Sequence, residues 1–151
     1  MIQITGEITI NRSIDDVFDF VADATNEPLY NPMILVAEKV TDGPVGLNTR
    51  FRDEARSAGR TSEALIEIIG YEPPHRLVEA IRMPGTDILG TLRFDEVPRG
   101  TRMQWSWEVE PHGVLKLMGP LIGRIGHRQE QRAWASLKSH LEANPVLAGK
   151  A

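Results

Sequence analysis

Apolar and polar residues alternate along much of the chain, which is the period of a β-strand with one buried face. The segment 1–10 alternates isoleucines with polar residues and predicts a first strand. From about residue 34 to residue 110, similar segments are separated by turns rich in proline and glycine, which predicts a meander of six antiparallel strands. The clearest segment places these side chains on one face: Thr101, Met103, Trp105, Trp107 and Val109.

A helical period follows the first strand. Ser13 is a good N-cap, with Asp16 in the position of a capping-box acid. The apolar residues Ile14, Val17, Phe18 and Val21 then fall on one helical face. Prolines 28 and 32 cannot continue that helix, so short helices are expected between strands 1 and 2.

A long helix closes the predicted order of elements. Gly119-Pro120 is a favourable start, and the helical pattern continues to about Ala143. Residues 114–118 are apolar but out of phase with this helix, which predicts a separate turn or lid. The buried stripe of the helix is expected to pass through Ala133, Trp134, Leu137 and Leu141.

The order of elements predicts an α+β fold with one antiparallel sheet of about seven strands and a long C-terminal helix. A chain of 151 residues fits one domain, which we expect to span residues 1–144, followed by a flexible tail at 145–151. No run of residues approaches the length of a membrane span, and the first ten residues do not form a signal peptide.

The amino-acid composition limits which kinds of site and partner the chain can have. Hydrophobic residues make up 41% and charged residues 25%, as in ordinary soluble domains. The chain has no cysteine, which excludes disulfides and thiolate catalysis, and a cytoplasmic location is the expectation. A net charge of −4 argues against nucleic acid as the partner. The ridge of Arg124, Arg128 and Arg132 is either a solvated face or a basic docking surface.

Two groups of residues allow both a binding and a packing interpretation. Trp105 and Trp107, on the inward face of their strand, either line a ligand pocket or fill the core. Gly119, Gly123 and Gly126 lie on the inward side of the long helix. They either leave room for a ligand or permit close approach of helix and sheet.

Glu130 is the one candidate catalytic residue, because it projects onto the buried stripe of the long helix. Inside an apolar cavity its pKa should rise, which suits a general acid or base or an anchor for a ligand hydroxyl. The alternatives are an ion pair with Arg82 or Arg52, or a helix rotation that exposes it. His127 lies at i, i+3 from Glu130 without further ligands, so no metal site is predicted, and no motif indicates a cofactor.

Several local patterns resemble the START-like helix-grip superfamily (SRPBCC), specifically its polyketide cyclase/dehydrase-like bacterial branch. They lie in order along nearly the whole chain: residues 10–23, Asn26–Pro32 with Tyr30 where the family usually has Trp, Tyr71–Pro74 with Arg76-Leu77, and Gly100-Thr101-Arg102. The resemblance implies a curved sheet wrapped around the long helix, with a deep hydrophobic cavity between them. It brings no universal catalytic residue.

We expect the wall of that cavity to be formed by these residues: Tyr30, Phe51, Ile66, Ile68, Leu92, Phe94, Met103, Trp105, Trp107, Met118, Ile122, Gly123, Gly126 and Glu130. The predicted function is binding or carriage of a small hydrophobic molecule such as a lipid, polyketide or aromatic metabolite. One alternative is a cyclase or dehydratase that uses Glu130. Another is a protein-interaction module whose apolar patch is residues 114–118 with Leu121. The sequence leaves homodimerisation open.

Overall fold

The computed structural model of the chain describes residues 1–57 and 59–144. For Ser57 it describes the backbone alone. The elements follow in this order: β1 (Ile2–Ile10), α1 (Ile14–Ala22), a first 3₁₀ helix (Ala24–Leu29), β2 (Ile34–Lys39), β3 (Arg50–Ser57), β4 (Arg60–Glu72), β5 (Arg76–Met83), β6 (Thr86–Val97), β7 (Gly100–Pro111), a second 3₁₀ helix (Gly113–Met118) and α2 (Gly119–Ala143). The predicted tail at 145–151 lies outside the described residues.

The seven strands form one antiparallel sheet in the order β1-β7-β6-β5-β4-β3-β2. Each neighbouring pair except β1 and β7 is consecutive in sequence, so β1 joins the meander at its far end. The sheet curves, and α2 packs on its concave face. The predicted α+β helix-grip fold is thereby confirmed, including the short helices between the first two strands.

The N-terminal strand and helix form as the pattern predicts. Ser13 caps α1, its Oγ accepting a hydrogen bond from the Asp16 backbone N–H at 3.3 Å. The apolar face of α1 is buried, and Phe18 packs edge-on against Phe94 of β6, with ring centroids 5.2 Å apart. This contact holds α1 on the sheet beside the C-terminal half of α2.

The two ends of α2 are held differently. At its C-terminal end, the buried Arg12 donates hydrogen bonds to the carbonyls of Leu141 and Asn144 and pairs with Asp16 at 3.1 Å. At its N-terminal end, Leu121 and Ile125 are each 46% exposed. The predicted stripe from Ala133 to Leu141 is buried, so the C-terminal half of the helix is the half that closes the core.

The glycines of α2 allow close approach to β1. A Cβ at Gly126 would lie 2.5 Å from Cδ1 of Ile4, and one at Gly123 would lie 3.2 Å from Cγ2 of Ile2. The packing interpretation therefore holds for Gly126 and, less tightly, for Gly123, because β1 side chains meet them, whereas a Cβ at Gly119 would make only an ordinary contact at 3.8 Å from Ile2.

Candidate functional site

A cavity of about 250 Å³ lies between the concave face of the sheet and α2. Its wall comes from the first 3₁₀ helix and the residues after it, from strands β2 to β7 and from α2. Exposed lining residues such as Arg56 and Gln129 mark the side on which it meets solvent. Its volume is below the range of about 300–1,000 Å³ usual for drug-sized ligands, so a smaller molecule fits.

Aromatic rings form one wall of the cavity. Tyr30 stacks on Trp134 with ring centroids 5.9 Å apart, and Trp107 lines the same space. The ring of Trp107 lies over Gly90 of the neighbouring strand. A Cβ at Gly90 would fall 1.7 Å from Cζ3 of Trp107, so only glycine leaves room for the ring. Glycine at this position therefore fixes the plane of an aromatic wall residue.

Four carboxyl groups, from four different elements, line the cavity: Glu27, Asp53, Glu79 and Glu130. Asp53 is 1% exposed and Glu79 is 7% exposed, whereas Glu27 and Glu130 are half-buried. Within the described residues, none of the four takes part in an ion pair. A buried carboxylate without a partner is costly, so this cluster needs an explanation.

Burial raises the pKa of each carboxyl group. It raises the pKa of Asp53 to about 7 by desolvation alone. The pKa of Glu79 is raised to about 7 by burial and then by the charges of Asp53 and Glu130. Burial first, and then the charges of the other three acids, raise the pKa of Glu27 well above its ordinary value. The cavity therefore changes its charge near neutral pH.

Glu130 lies between two tryptophans. Burial raises its pKa to about 7, and the nearby indole N–H groups of Trp107 and Trp134 act in the opposite direction. Neither N–H completes a hydrogen bond within the described residues. Three buried polar groups of the wall are thus unpartnered in that part of the chain: these two indole nitrogens and Oδ1 of Asp53.

The structure decides between the interpretations of Glu130. Neither proposed arginine reaches it: Arg52 pairs with Glu38 and Glu63, and Arg82 is exposed on the other face of β5. An ion pair with either is therefore the wrong interpretation. The helix is also not rotated to expose Glu130, which faces the cavity.

Five of the fourteen predicted cavity residues line the cavity: Tyr30, Ile66, Leu92, Trp107 and Glu130. Five others lie inside the packed core beside it, where neighbouring side chains cover them: Phe51, Ile68, Phe94, Met103 and Trp105. The remaining four belong to the N-terminal part of α2 and the residue before it. Met118 is 46% exposed, Ile122 packs against the core edge, and Gly123 and Gly126 contact β1.

Sequence reasoning did not select Glu27, Asp53 or Glu79. The sequence does contain a signal for the two strand residues. Asp53 shares the inward face of its strand with Phe51 and Ala55, and Glu79 shares that of its strand with Leu77 and Ile81. A carboxylate in the inward phase of a strand is the pattern that finds them.

Other surfaces of the molecule differ from this cavity. A more open groove lies between β1 and the start of α2, lined by Ile2, Gly119 and Gly123 among others. The apolar patch of residues 114–118 with Leu121 is exposed: Leu117, for example, is 86% exposed. The interaction-module alternative predicts both an exposed patch and a core without a cavity. The patch is exposed, but the cavity between the sheet and α2 contradicts the prediction of a filled core. Arg124, Arg128 and Arg132 are exposed, as a solvated ridge would be.

Within residues 1–57 and 59–144, no group of three or more acidic or histidine side chains is arranged to hold a metal ion. In the same residues, no helix has both the length and the apolar character needed to cross a bilayer.

Three solved structures with this fold share between 12% and 18% sequence identity with the chain. A START superfamily protein from Mycobacterium smegmatis superposes with a TM-score of 0.82 at 12% identity, covering 93% of this chain and 97% of that one. The protein TTHA0849 from Thermus thermophilus gives 0.77 at 18% identity, with 93% and 97% covered. Ara h 8.0201 gives 0.75 at 17% identity, with 94% and 98% covered. At such identities the likeness shows the fold alone.

The sequence itself carries a family assignment. No curated protein matches it. A family model described as "Polyketide cyclase / dehydrase and lipid transport" matches residues 1–142, which is nearly the whole chain. The chain belongs to this polyketide cyclase / dehydrase and lipid transport family, within the START-like fold.

Proposed function

We propose that the protein binds and carries one small, mainly apolar molecule in the cavity between the sheet and α2. The observation that carries this proposal is the cavity itself, about 250 Å³ in volume, with aromatic walls and converging polar groups. A core evolved only for packing leaves few voids larger than a water molecule. The family description, which includes lipid transport, supports the same function.

A cavity-filling variant tests the proposal. Ala64 of β4 is buried and lines the cavity, so Ala64→Leu places its added carbons in that space. Ala80→Leu is the matched control, since Ala80 lies on the opposite face of β5 from the lining residues Glu79 and Ile81.

The readouts are native mass spectrometry of the gently purified protein and calorimetric titration with 1-naphthalenemethanol, a neutral apolar probe. We expect the probe to bind the wild type and the control alike. Ala64→Leu should weaken binding by about tenfold or more without loss of thermal stability. Equal binding by all three proteins would contradict the proposal, and so would the absence of any bound small molecule in both readouts.

Glu130 supports a second candidate, a cyclase or dehydratase acting on a polyketide-like substrate. A carboxyl group with a pKa of about 7 facing a cavity suits general acid or base catalysis at neutral pH. The extracted co-purifying molecule is incubated with the wild type and with Glu130→Gln, and products are followed by mass spectrometry. Conversion by the wild type, lost in the variant with binding retained, identifies an enzyme. Absence of conversion by both gives no support to the enzyme candidate, and the carrier proposal stands.

A further inference from the structure

The cavity combines an acidic cluster with aromatic walls, and this combination specifies a ligand class. We propose that the cavity takes a small organic cation: an apolar molecule with one protonated amine that pairs with Asp53, is balanced by the charges of Glu27, Glu79 and Glu130, and lies against Tyr30, Trp107 and Trp134. This inference rests on the proposed function and adds to it the charge of the ligand.

The charge balance of the cavity favours a cation. Four carboxyl groups line the cavity, and Arg56 is the one basic residue among the described lining residues. Arg56 is exposed, so water screens its charge. An anionic ligand would be repelled from such a wall, and a neutral ligand would leave the carboxylates without a counter-charge. A cation supplies that counter-charge.

Asp53 carries a hydrogen-bond acceptor that the described residues leave unsatisfied. Oδ1 of Asp53 has no hydrogen-bond partner in the described part of the chain, although the residue is only 1% exposed and lines the cavity. A buried acceptor of this kind is rare in folded proteins unless a ligand, ion or water pairs with it. An ammonium group, which has donors and no acceptor, matches it.

The aromatic wall of the cavity also suits a cation. Tyr30 and Trp134 stack at 5.9 Å with an interplanar angle of 30°, and Trp107 lies on the same cavity. The negative face of an aromatic ring attracts a cation within about 6 Å, most strongly when water is excluded. Carboxylates beside aromatic faces provide both components of an amine site.

Binding of a cation should also move protons. The titratable groups that face the cavity are the four acids, Tyr30 and Arg56. Three of the acids have a pKa of about 7, so at neutral pH part of the cluster is protonated. A bound ammonium favours the ionised form and releases protons to the buffer. Affinity for the amine should therefore rise from about pH 6 to about pH 8.

Matched probes test the proposal. Benzyl and naphthylmethyl compounds, each as amine, alcohol and carboxylate, are titrated calorimetrically in two buffers that differ in ionisation enthalpy. We expect the amine to bind about tenfold or more tightly than its alcohol, and the carboxylate to bind most weakly. The amine alone should release protons, seen as a buffer-dependent heat.

Isosteric variants link the preference to the cluster. Asp53→Asn and Glu79→Gln should reduce the preference for amine over alcohol while alcohol binding persists. Glu63→Gln is the control, because Glu63 is an exposed residue that pairs with Arg52. Equal binding of amine and alcohol, or tighter binding of the carboxylate, would overturn this inference and leave the proposed function standing. Failure of all six probes to bind would overturn both.

Discussion

Asp53 makes the stability of the unliganded protein depend on pH in a way that can be calculated. Its pKa rises from 3.8 to about 7 in the folded state, and burial is the one cause. The folded state therefore binds the proton more tightly than the unfolded state between these two values. Stability falls as pH rises through this window, and the full loss is present above about pH 7.

The magnitude follows from the size of the shift. A difference of roughly 3 pKa units at 1.36 kcal/mol each amounts to about 4 kcal/mol, and about 3 kcal/mol of this is lost between about pH 5 and about pH 8. The side chain is 1% exposed, so solvent screening does not reduce this figure much. Removing the charge should remove the loss.

Asp53→Asn is the perturbation, and urea unfolding at about pH 5 and about pH 8 is the assay. We expect the variant to gain about 3 kcal/mol over the wild type at the higher pH relative to the lower one. Asp42→Asn, in the exposed loop after β2, is the control and should follow the wild type at both values. If Asp53→Asn also follows the wild type, Asp53 does not titrate as a buried, unpaired acid, and the reasoning is refuted.

Two further variants test packing around the site. Gly90→Ala should destabilise the protein by about 1–3 kcal/mol, because its Cβ would displace the ring of Trp107. Gly119→Ala, whose Cβ meets nothing closer than 3.8 Å, is the control and should be nearly neutral. Thermal denaturation measures both variants, and equal melting temperatures for the two would contradict a close contact between Gly90 and Trp107. Arg12→Met should cost about 2–3 kcal/mol in urea unfolding, since it removes charged hydrogen bonds to the end of α2. Arg102→Met, which removes an exposed ion pair with Asp95, is the control and should cost under about 1 kcal/mol. A similar loss of stability in the two variants would show that the hydrogen bonds of Arg12 to α2 contribute no more than an exposed ion pair.

Local patterns predicted the fold well because each element carries its own signal. The alternation in β7 and the Ser13 cap of α1 are both confirmed, and so are the bounds of α2. Such signals depend on neighbours in sequence, which is why one sequence suffices to find them.

The site was less predictable because it depends on contacts between distant residues. The sequence around Gly126 does not indicate whether this glycine faces a ligand or a strand. The structure shows that it faces a strand, because Cδ1 of Ile4 lies 2.5 Å from the position of its Cβ. Glu27 lies in a 3₁₀ helix whose short length gives no period, so nothing local directs it to the sheet. Asp53 and Glu79 were detectable by phase, yet their convergence depends on the register of β3, β4 and β5.

The position of the tryptophans has a consequence for optical measurements. Trp105, Trp107 and Trp134 are the three tryptophans of the chain; all are buried, and two line the cavity. Indole emission shifts to shorter wavelength and changes in yield when water around the ring is replaced by an apolar molecule. Almost all the ultraviolet fluorescence of this protein therefore originates beside the cavity. The protein carries an intrinsic reporter that distinguishes a wet cavity from a filled one without a label.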